Sequence, residues 1–372
     1  MAGYDLAIVG AGILGLAHAL AAARLGKSVV VVDRDAKSRG ASIRNFGFIT
    51  VTGQAAGDCW RMARRSRDVW LEVAEAAGIP VLHRGLLVTA RRPEAEAVVD
   101  AFLATEMAEG CRRLSATEAA AYLPVRRETV TAALYSPLEL RVESRTAVPA
   151  LQAWLEKILG VAFRWSTHVH AVGPGRLETS RGPIEAGAVV VCPGDEFGTL
   201  FPERIGRYGA TRCLIHMLRL EPERPVRLGA AVMSDLGLAR YHGYADLPAA
   251  AALKARLDAE QPAQRRHGVH LIVVQSADGS LVVGDSHHYE EAPDPFYATA
   301  VEQLILDEMD QVLDLGGWRG SERWLGTYAS AGDRWRLSDA PDERTRIVIV
   351  TAGCGASTAF AIGEETIRDL FG

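Results

Sequence analysis

Eight residues near the N-terminus, Ile8 to Gly15 (IVGAGILG), constrain this chain more than any others. Gly10, Gly12 and Gly15 hold the spacing G-x-G-x-x-G between an apolar strand (Asp5 to Val9) and an alanine-rich helix (about Ile13 to Leu25). A second apolar strand follows, Ser28 to Asp33. Continuous apolar strands of this kind belong to a parallel sheet buried on both faces, so the first 33 residues read as a βαβ unit. Each glycine has its own reason. Gly10 permits a tight turn, Gly12 lets backbone approach a pyrophosphate, and Gly15 brings helix and strand into close packing. The helix then aims its amide N–H groups and positive dipole end at the phosphates, with Ala19 and Gly26 as further packing positions. Asp33 closes the second strand, where a carboxylate can hold a ribose hydroxyl, and this acid disfavours a 2'-phosphate; Arg34 beside it can lie over an adenine. The ligand is therefore NAD or FAD.

The run Leu6 to Leu25 is almost as apolar and as long as a membrane span. Its three glycines, the absence of a basic stretch before it and the strand after it make it strand, turn and helix rather than export signal or anchor. With 46 acidic against 41 basic residues the net charge is −5, which attracts neither nucleic acid nor an anionic membrane. The basic runs Arg61 to Arg67 and Ala263 to Gly268 read as solvated helix faces. Five scattered cysteines, Cys59, Cys111, Cys192, Cys213 and Cys354, show no C-x-x-C and no metal-ligand spacing. They suit a reducing, cytoplasmic setting.

Beyond a loop from Arg34 to Gly53, helices are expected at about Ala55 to Ala77, Pro93 to Glu109 and Ala147 to Leu159. Strands are expected at Gly85 to Ala90, Ala162 to Ala171 and Ala188 to Cys192. From Thr211 the chain turns β-rich, in TRCLIHMLRL, GVHLIVVQS and SLVVGDSHHY, the last two joined by the hairpin signal Ala277-Asp278-Gly279. Helices near Pro248 to Ala259 and Tyr297 to Leu313 alternate with these strands, suggesting an antiparallel sheet with helices on one face. The last 27 residues return to the pattern of the first, with a strand RIVIVTAG, a turn Gly353-Cys354-Gly355 and a helix Ser357 to Leu370. Similar ends around different material argue for a discontinuous parallel-sheet domain interrupted by a second one. In that C-terminal turn the glycines and Ser357-Thr358 open a helix whose free N–H groups suit an anion, such as the pyrimidine end of a reduced flavin. A capped helix that only packs on the sheet is the plainer alternative, and Cys354 there reads as an apolar filler.

Taken with the segment RGASIRNFGFIT (Arg39 to Thr50), the VVVCPG strand and the TAGCGAST turn, the chain resembles the D-amino-acid oxidase, glycine oxidase and sarcosine oxidase superfamily of FAD-dependent amine oxidoreductases over nearly its whole length. The resemblance implies an α/β fold. A GR2-type, Rossmann-like FAD domain would take residues 1–80, 145–212 and 326–372, and a mostly antiparallel α+β substrate domain 81–144 and 213–325. It further implies that Ala41 and Ser42 meet the pyrophosphate, that Asn45, Phe46 and Gly47 border the flavin ring, and that the Val169 backbone meets the adenine. Gly353, Cys354, Gly355, Ser357 and Thr358 would complete the flavin site. No cysteine stands at the attachment position of monomeric sarcosine oxidases, so non-covalent FAD is expected.

The implied reaction moves a hydride from the carbon beside an amine to FAD; water hydrolyses the imine, and dioxygen reoxidises the flavin to give hydrogen peroxide. No acid or base residue is obligatory, because a neutral amine gives up hydride directly. A dehydrogenase handing electrons to a quinone or carrier protein is the main rival within the fold, and an NAD-binding module the rival outside it. Amino-acid oxidases of the group carry a carboxylate-clamping arginine after a Trp-x-Gly-like segment. Here that segment is RWLGTYASAGDRW, and Tyr328 stands in its place. The segments RGASIRNFGFI and RWLGTYAS look like a subgroup proposed to oxidise aminophosphonates such as aminoethylphosphonate or its N-methyl form. Arg44, Tyr241, His242, His287, His288 and Tyr328 are candidate phosphonate donors, with a carboxylate clamp moved to Arg44 or Arg240 as the alternative.

Overall fold

A computed structural model describes residues 3–372. Its first sheet has the strand Tyr4–Val9 near its centre. On one side of it lie Val29–Val32 and Ala162–Arg164, on the other Ile184–Val191 and Thr345–Val350, all parallel. The strand Arg336–Asp342 closes one edge antiparallel. The valines of Val29–Val32 are all buried because both faces are covered. Leu6, Ile8, Val29 and Val31 face a helical layer, whereas Ala7, Val30 and Val32 face Val169 and Leu177 of the antiparallel hairpin Val169–Gly173 and Arg176–Thr179.

The helical layer comprises Ile13–Arg24, Asp58–Ala76, Ser144–Lys157 and Gly355–Phe371. The first and last cross closely at Gly363, where a Cβ would lie 2.7 Å from the Ala17 carbonyl oxygen. Trp70 packs edge-on against Phe360 and donates its indole N–H to the Ala356 carbonyl at 2.7 Å. The apolar segment Leu6 to Leu25 is thus strand, turn and helix, and among the described residues no helix is long and apolar enough to cross a membrane.

The second sheet is ten-stranded and mixed. Its longest strand, Thr211–Pro222, pairs along its length with Trp318–Ser330. On its other side two short strands share the edge: Leu281–Gly284 meets Met217 to Leu220, and His288–Glu290 meets Arg212 to Leu214. The three residues between, Asp285 to His287, leave the ladder, and the Ser286 hydroxyl ties the gap to His216, 3.2 Å from its backbone N–H and 2.8 Å from Nδ1. One pair is parallel, Ala231–Met233 beside Leu86 to Val88 of His83–Ala90. Helices Pro93–Leu103, Ala250–Glu260 and Thr299–Val312 share this sheet's apolar core.

Several expected boundaries move for local reasons. The helix from Pro93 stops at Leu103 because the Thr105 hydroxyl caps the Phe102 carbonyl at 2.7 Å, leaving Glu106–Ala108 as a separate 3-10 turn. The extended stretch 162–171 breaks at Ser166, whose φ of 51° turns the chain. Phe48–Ile49, inside the loop Arg34 to Gly53, pairs with the second sheet.

Candidate active site

A cavity of about 760 Å³ opens where the parallel strands end and the second sheet begins. Ligands of open α/β sheets bind at the carboxyl ends of the strands, and here Val9, Val32, Cys192 and Val350 bring four strand ends to one wall. That volume lies within the usual range of ligand pockets.

The glycine turn divides its work among three positions. Gly10 has φ +103°, and a Cβ there would sit 2.4 Å from the Cys192 carbonyl oxygen. A Cβ on Gly15 would lie 1.9 Å from the Gly10 oxygen. Gly12 differs: its backbone is extended (φ −73°), and a Cβ would meet only the Ser42 hydroxyl, at 3.1 Å. Its open side faces the cavity. Ser42 Oγ accepts the Ile13 N–H at 2.9 Å and so caps the helix that opens the site. The Asp33 carboxylate accepts Ala11 N–H at 2.7 Å through Oδ2 and Asp35 N–H at 2.9 Å through Oδ1. An ionised carboxylate offers about four acceptor directions, so roughly two remain for ribose hydroxyls. Arg34 stands exposed at this end, and Val169 is buried in its wall.

At the other end, Ala41–Ile43 form a single 3-10 turn tied by Asn45, whose amide donates to the Ala41 carbonyl at 2.7 Å and accepts the Gly47 N–H at 2.6 Å. Phe46 is buried beneath it. Gly47 lies outside the cavity wall, with φ +62° and a Cβ position 1.9 Å from the Val142 oxygen, so its role is to fold the loop. The C-terminal helix begins at Gly355 after Gly353 (φ +69°) and has no side-chain cap at Cys354. Ser357 lines the cavity, but its hydroxyl accepts the Thr50 N–H at 2.9 Å, and Thr358, whose hydroxyl donates to the Cys354 carbonyl at 2.9 Å, lies behind the wall. What this turn presents is uncapped backbone from Gly353 to Ala356.

Opposite stands a polar wall from the second sheet. Tyr328 packs its phenol against Gly353, 3.2 Å from where a Cβ would be. Burial, with Cys213 beside it, pushes its pKa well above the ordinary tyrosine value, and burial likewise raises that of Tyr241. Arg240 donates from Nη2 to the Tyr289 hydroxyl at 2.6 Å, while its Nε is buried without a partner and it forms no ion pair among the described residues. Burial works to lower its pKa, but Tyr289, Tyr328, Tyr241 and Asp285 together hold it above the usual arginine value. His270 and Asp285 complete this wall with His287.

The candidate phosphonate donors separate on this map. Tyr241, His287 and Tyr328 come together. Arg44 lines the cavity but spends its Nε on the Arg39 carbonyl at 2.7 Å. His242 sits at the rim, exposed and 3.1 Å from the Asp246 carboxylate. His288 faces away from the cavity toward His267, at 2.9 Å. His287 donates through Nδ1 to the Gly268 carbonyl at 3.0 Å, so in its neutral form its other nitrogen is an acceptor. Asp285, His270 and Tyr289 are site residues that the sequence alone does not reveal. The one local signal is an acid directly after the apolar strand LVVG and before two histidines.

The sequence profile of the family described as FAD dependent oxidoreductase (DAO) matches residues 5–368, and the chain belongs to that family. FAD is its cofactor, and the cavity fits it: a helix start at each end for anionic groups, the first with Ile13 N–H held by Ser42 and the second uncapped, an acceptor for ribose and a cleared approach at Gly12. Glycine oxidase from Bacillus cereus is similar over 99% of this chain and 94% of its own, with a TM-score of 0.79 and 16% identity. Glycine oxidase from Geobacillus kaustophilus is similar over 100% and 95%, at 0.77 and 18%. The FAD-bound L-α-glycerophosphate oxidase from Mycoplasma pneumoniae follows over 100% and 95%, at 0.74 and 16%. At these identities the likeness is one of fold. No curated protein matches the chain by sequence.

Proposed function

We propose that this enzyme oxidises a small amine that also carries an anionic group, with an aminophosphonate such as 2-aminoethylphosphonate as the preferred class. The observation that carries the reading is Arg240, a guanidinium without a carboxylate partner, set in the cofactor cavity beside the Tyr289, Tyr241 and Tyr328 phenols. A charge held like this invites an anion, and the phenols add donors that a phosphonate's three oxygens can use. FAD, when bound, supplies the hydride acceptor for the carbon beside the amine. Gly12, Ser42 and Asp33 would hold its pyrophosphate and ribose, Val169 its adenine end, and Gly353 to Ala356 the electron-rich end of its ring. The chain's contribution is then position: Arg240 and Tyr289 fix the anionic end, and the phenol wall limits water around the reacting carbon. The flavin is held non-covalently, so acid precipitation releases it, and dioxygen is the acceptor that restores it.

A carboxylate would use the same guanidinium fork, as in an oxidase of glycine, sarcosine or a D-amino acid. Arg240→Met separates the anion clamp from everything else. Losing a buried charged contact costs about 2–5 kcal/mol, so the amine concentration that half-saturates flavin reduction rises roughly 30-fold or more with flavin content intact. An unchanged saturation curve would mean that the anion sits elsewhere.

A further inference from the structure

Arg240 has a counterpart of opposite sign in the same cavity. Asp285 is 5% exposed, and among the described residues its only charged-type partners are two histidines. His270 Nδ1 lies 3.1 Å from Oδ1, yet neither atom forms a hydrogen bond, because a ring N–H there would not point along the line between them. His287 Nε2 lies 3.7 Å from Oδ2. Its Nδ1 hydrogen is committed to the Gly268 carbonyl, which leaves the Nε2 lone pair facing the carboxylate. Burial and Arg240 hold the His287 pKa well below its ordinary value, so the ring stays neutral at pH 7. One ligand-type atom from each of the three residues falls within 4.8 Å of the others. A carboxylate and two ring nitrogens thus converge with no hydrogen bond to satisfy Asp285 Oδ1 or His270 Nδ1, an arrangement that a donor entering the cavity would relieve. The fold holds it open because Asp285 to His287 leave the strand ladder between Gly284 and His288.

We infer that Asp285, His270 and His287 form the subsite for the substrate's amine: it enters as a primary ammonium whose three N–H groups meet the Asp285 carboxylate, His287 Nε2 and, with its ring proton on Nε2, His270 Nδ1, and it gives its extra proton to this cluster so that the amine is neutral when the carbon beside it releases the hydride. This rests on the amine-oxidising reading above and sharpens it. The substrate is a zwitterion lying between Arg240 and Asp285, and a primary amine is preferred over its N-methyl form, which has one donor fewer. The rim histidine His242 and the outward His288 take no part.

The test uses the FAD-loaded enzyme under anaerobic conditions, with ligand binding and bleaching followed in the visible flavin spectrum. The ligands are 2-aminoethylphosphonate, its N-methyl form, and propylphosphonate, in which a methyl group replaces the ammonium. Asp285→Asn should raise the half-saturating concentration of 2-aminoethylphosphonate at least 30-fold while moving that of propylphosphonate less than threefold. His287→Leu should cost about tenfold with the primary amine and narrow its advantage over the N-methyl form, and it carries the test if Asp285→Asn loses flavin. If only carboxylates bleach the wild type, glycine against acetate replaces the phosphonate pair. Equal effects on amine and amine-free ligands, or no effect on either, overturn the subsite. So does a stoichiometric divalent metal in the purified enzyme that His287→Leu removes. Bleaching of the wild type with unaltered variants would sink the subsite and leave the oxidase standing. Asp285-dependent amine binding without bleaching would do the reverse.

Discussion

Alanine at Gly12 and alanine at Gly15 should fail in different ways, although the two glycines belong to one motif. At Gly15 the new Cβ would lie 1.9 Å from the Gly10 carbonyl oxygen, backbone against backbone, with no side chain free to yield. The turn must shift by about an ångström, an overpacking that costs roughly 1–3 kcal/mol or more. That is a large part of the total stability of a typical domain, about 5–15 kcal/mol. At Gly12 the Cβ meets only the Ser42 hydroxyl at 3.1 Å, and φ of −73° suits any residue. The apoprotein should therefore change by no more than about 1 kcal/mol. With the pyrophosphate held at Gly12 as proposed, the methyl group instead occupies its approach. Loss of one charged hydrogen bond there, about 1.5–3 kcal/mol, weakens FAD roughly 10- to 150-fold. Urea unfolding of the apoproteins measures the first effect, and flavin fluorescence titration the second. Gly12→Ala with wild-type FAD affinity, or Gly15→Ala with wild-type apoprotein stability, would refute the division of roles.

Asp33→Ala leaves the Ala11 and Asp35 N–H groups without their acceptor and removes the ribose partner, so FAD affinity should fall at least tenfold and the melting temperature should drop; unchanged flavin binding counts against the ribose assignment. With Arg240 as the proposed anion clamp, Tyr328→Phe should keep its flavin and raise KM for the amine less than about tenfold, one neutral hydrogen bond's worth; a hundredfold rise would move the clamp to Tyr328. His18 is fully buried, donates through Nδ1 to the Leu14 carbonyl at 2.7 Å, and burial lowers its pKa to about 4. Between pH 6.5 and about 4 the unfolded chain takes up a proton that the native state refuses. Stability contributed by this residue is present above pH 6.5 and is lost as pH falls, by about 3 kcal/mol in all; His18→Leu should flatten that slope in urea unfolding.

What the sequence made legible is local. The glycine spacing, Asp33 and the valine strand lie within 33 residues, and their geometry follows from backbone sterics that any context leaves intact. The long strand Trp318–Ser330 carried no apolar alternation to announce it, because Arg319, Glu322 and Arg323 face solvent or acids such as Glu302 while Thr211–Pro222 supplies the pairing. The polar edge strand Arg336–Asp342 was hidden for the same reason. Arg240 and Asp285 meet the cavity from elements 45 residues apart, and His270 reaches Asp285 across neighbouring strands. Tertiary placement alone brings them together. Ser357 and Thr358 entered the flavin site as residues opening a helix with free N–H groups; the helix starts two residues earlier, at Gly355, so their own N–H groups already bond to the Cys354 carbonyl, their hydroxyls are engaged as well, and the open backbone lies at Gly353 to Ala356.

Amine oxidation in this cavity is tested most directly by the anaerobic visible spectrum of the FAD-loaded wild-type protein as 2-aminoethylphosphonate, N-methyl-aminoethylphosphonate, sarcosine, glycine and D-alanine are added in turn. Oxidation of an aminophosphonate at this flavin requires bleaching by 2-aminoethylphosphonate at the lowest concentration, with colour restored by air. A yellow protein that none of these amines bleaches would contradict it.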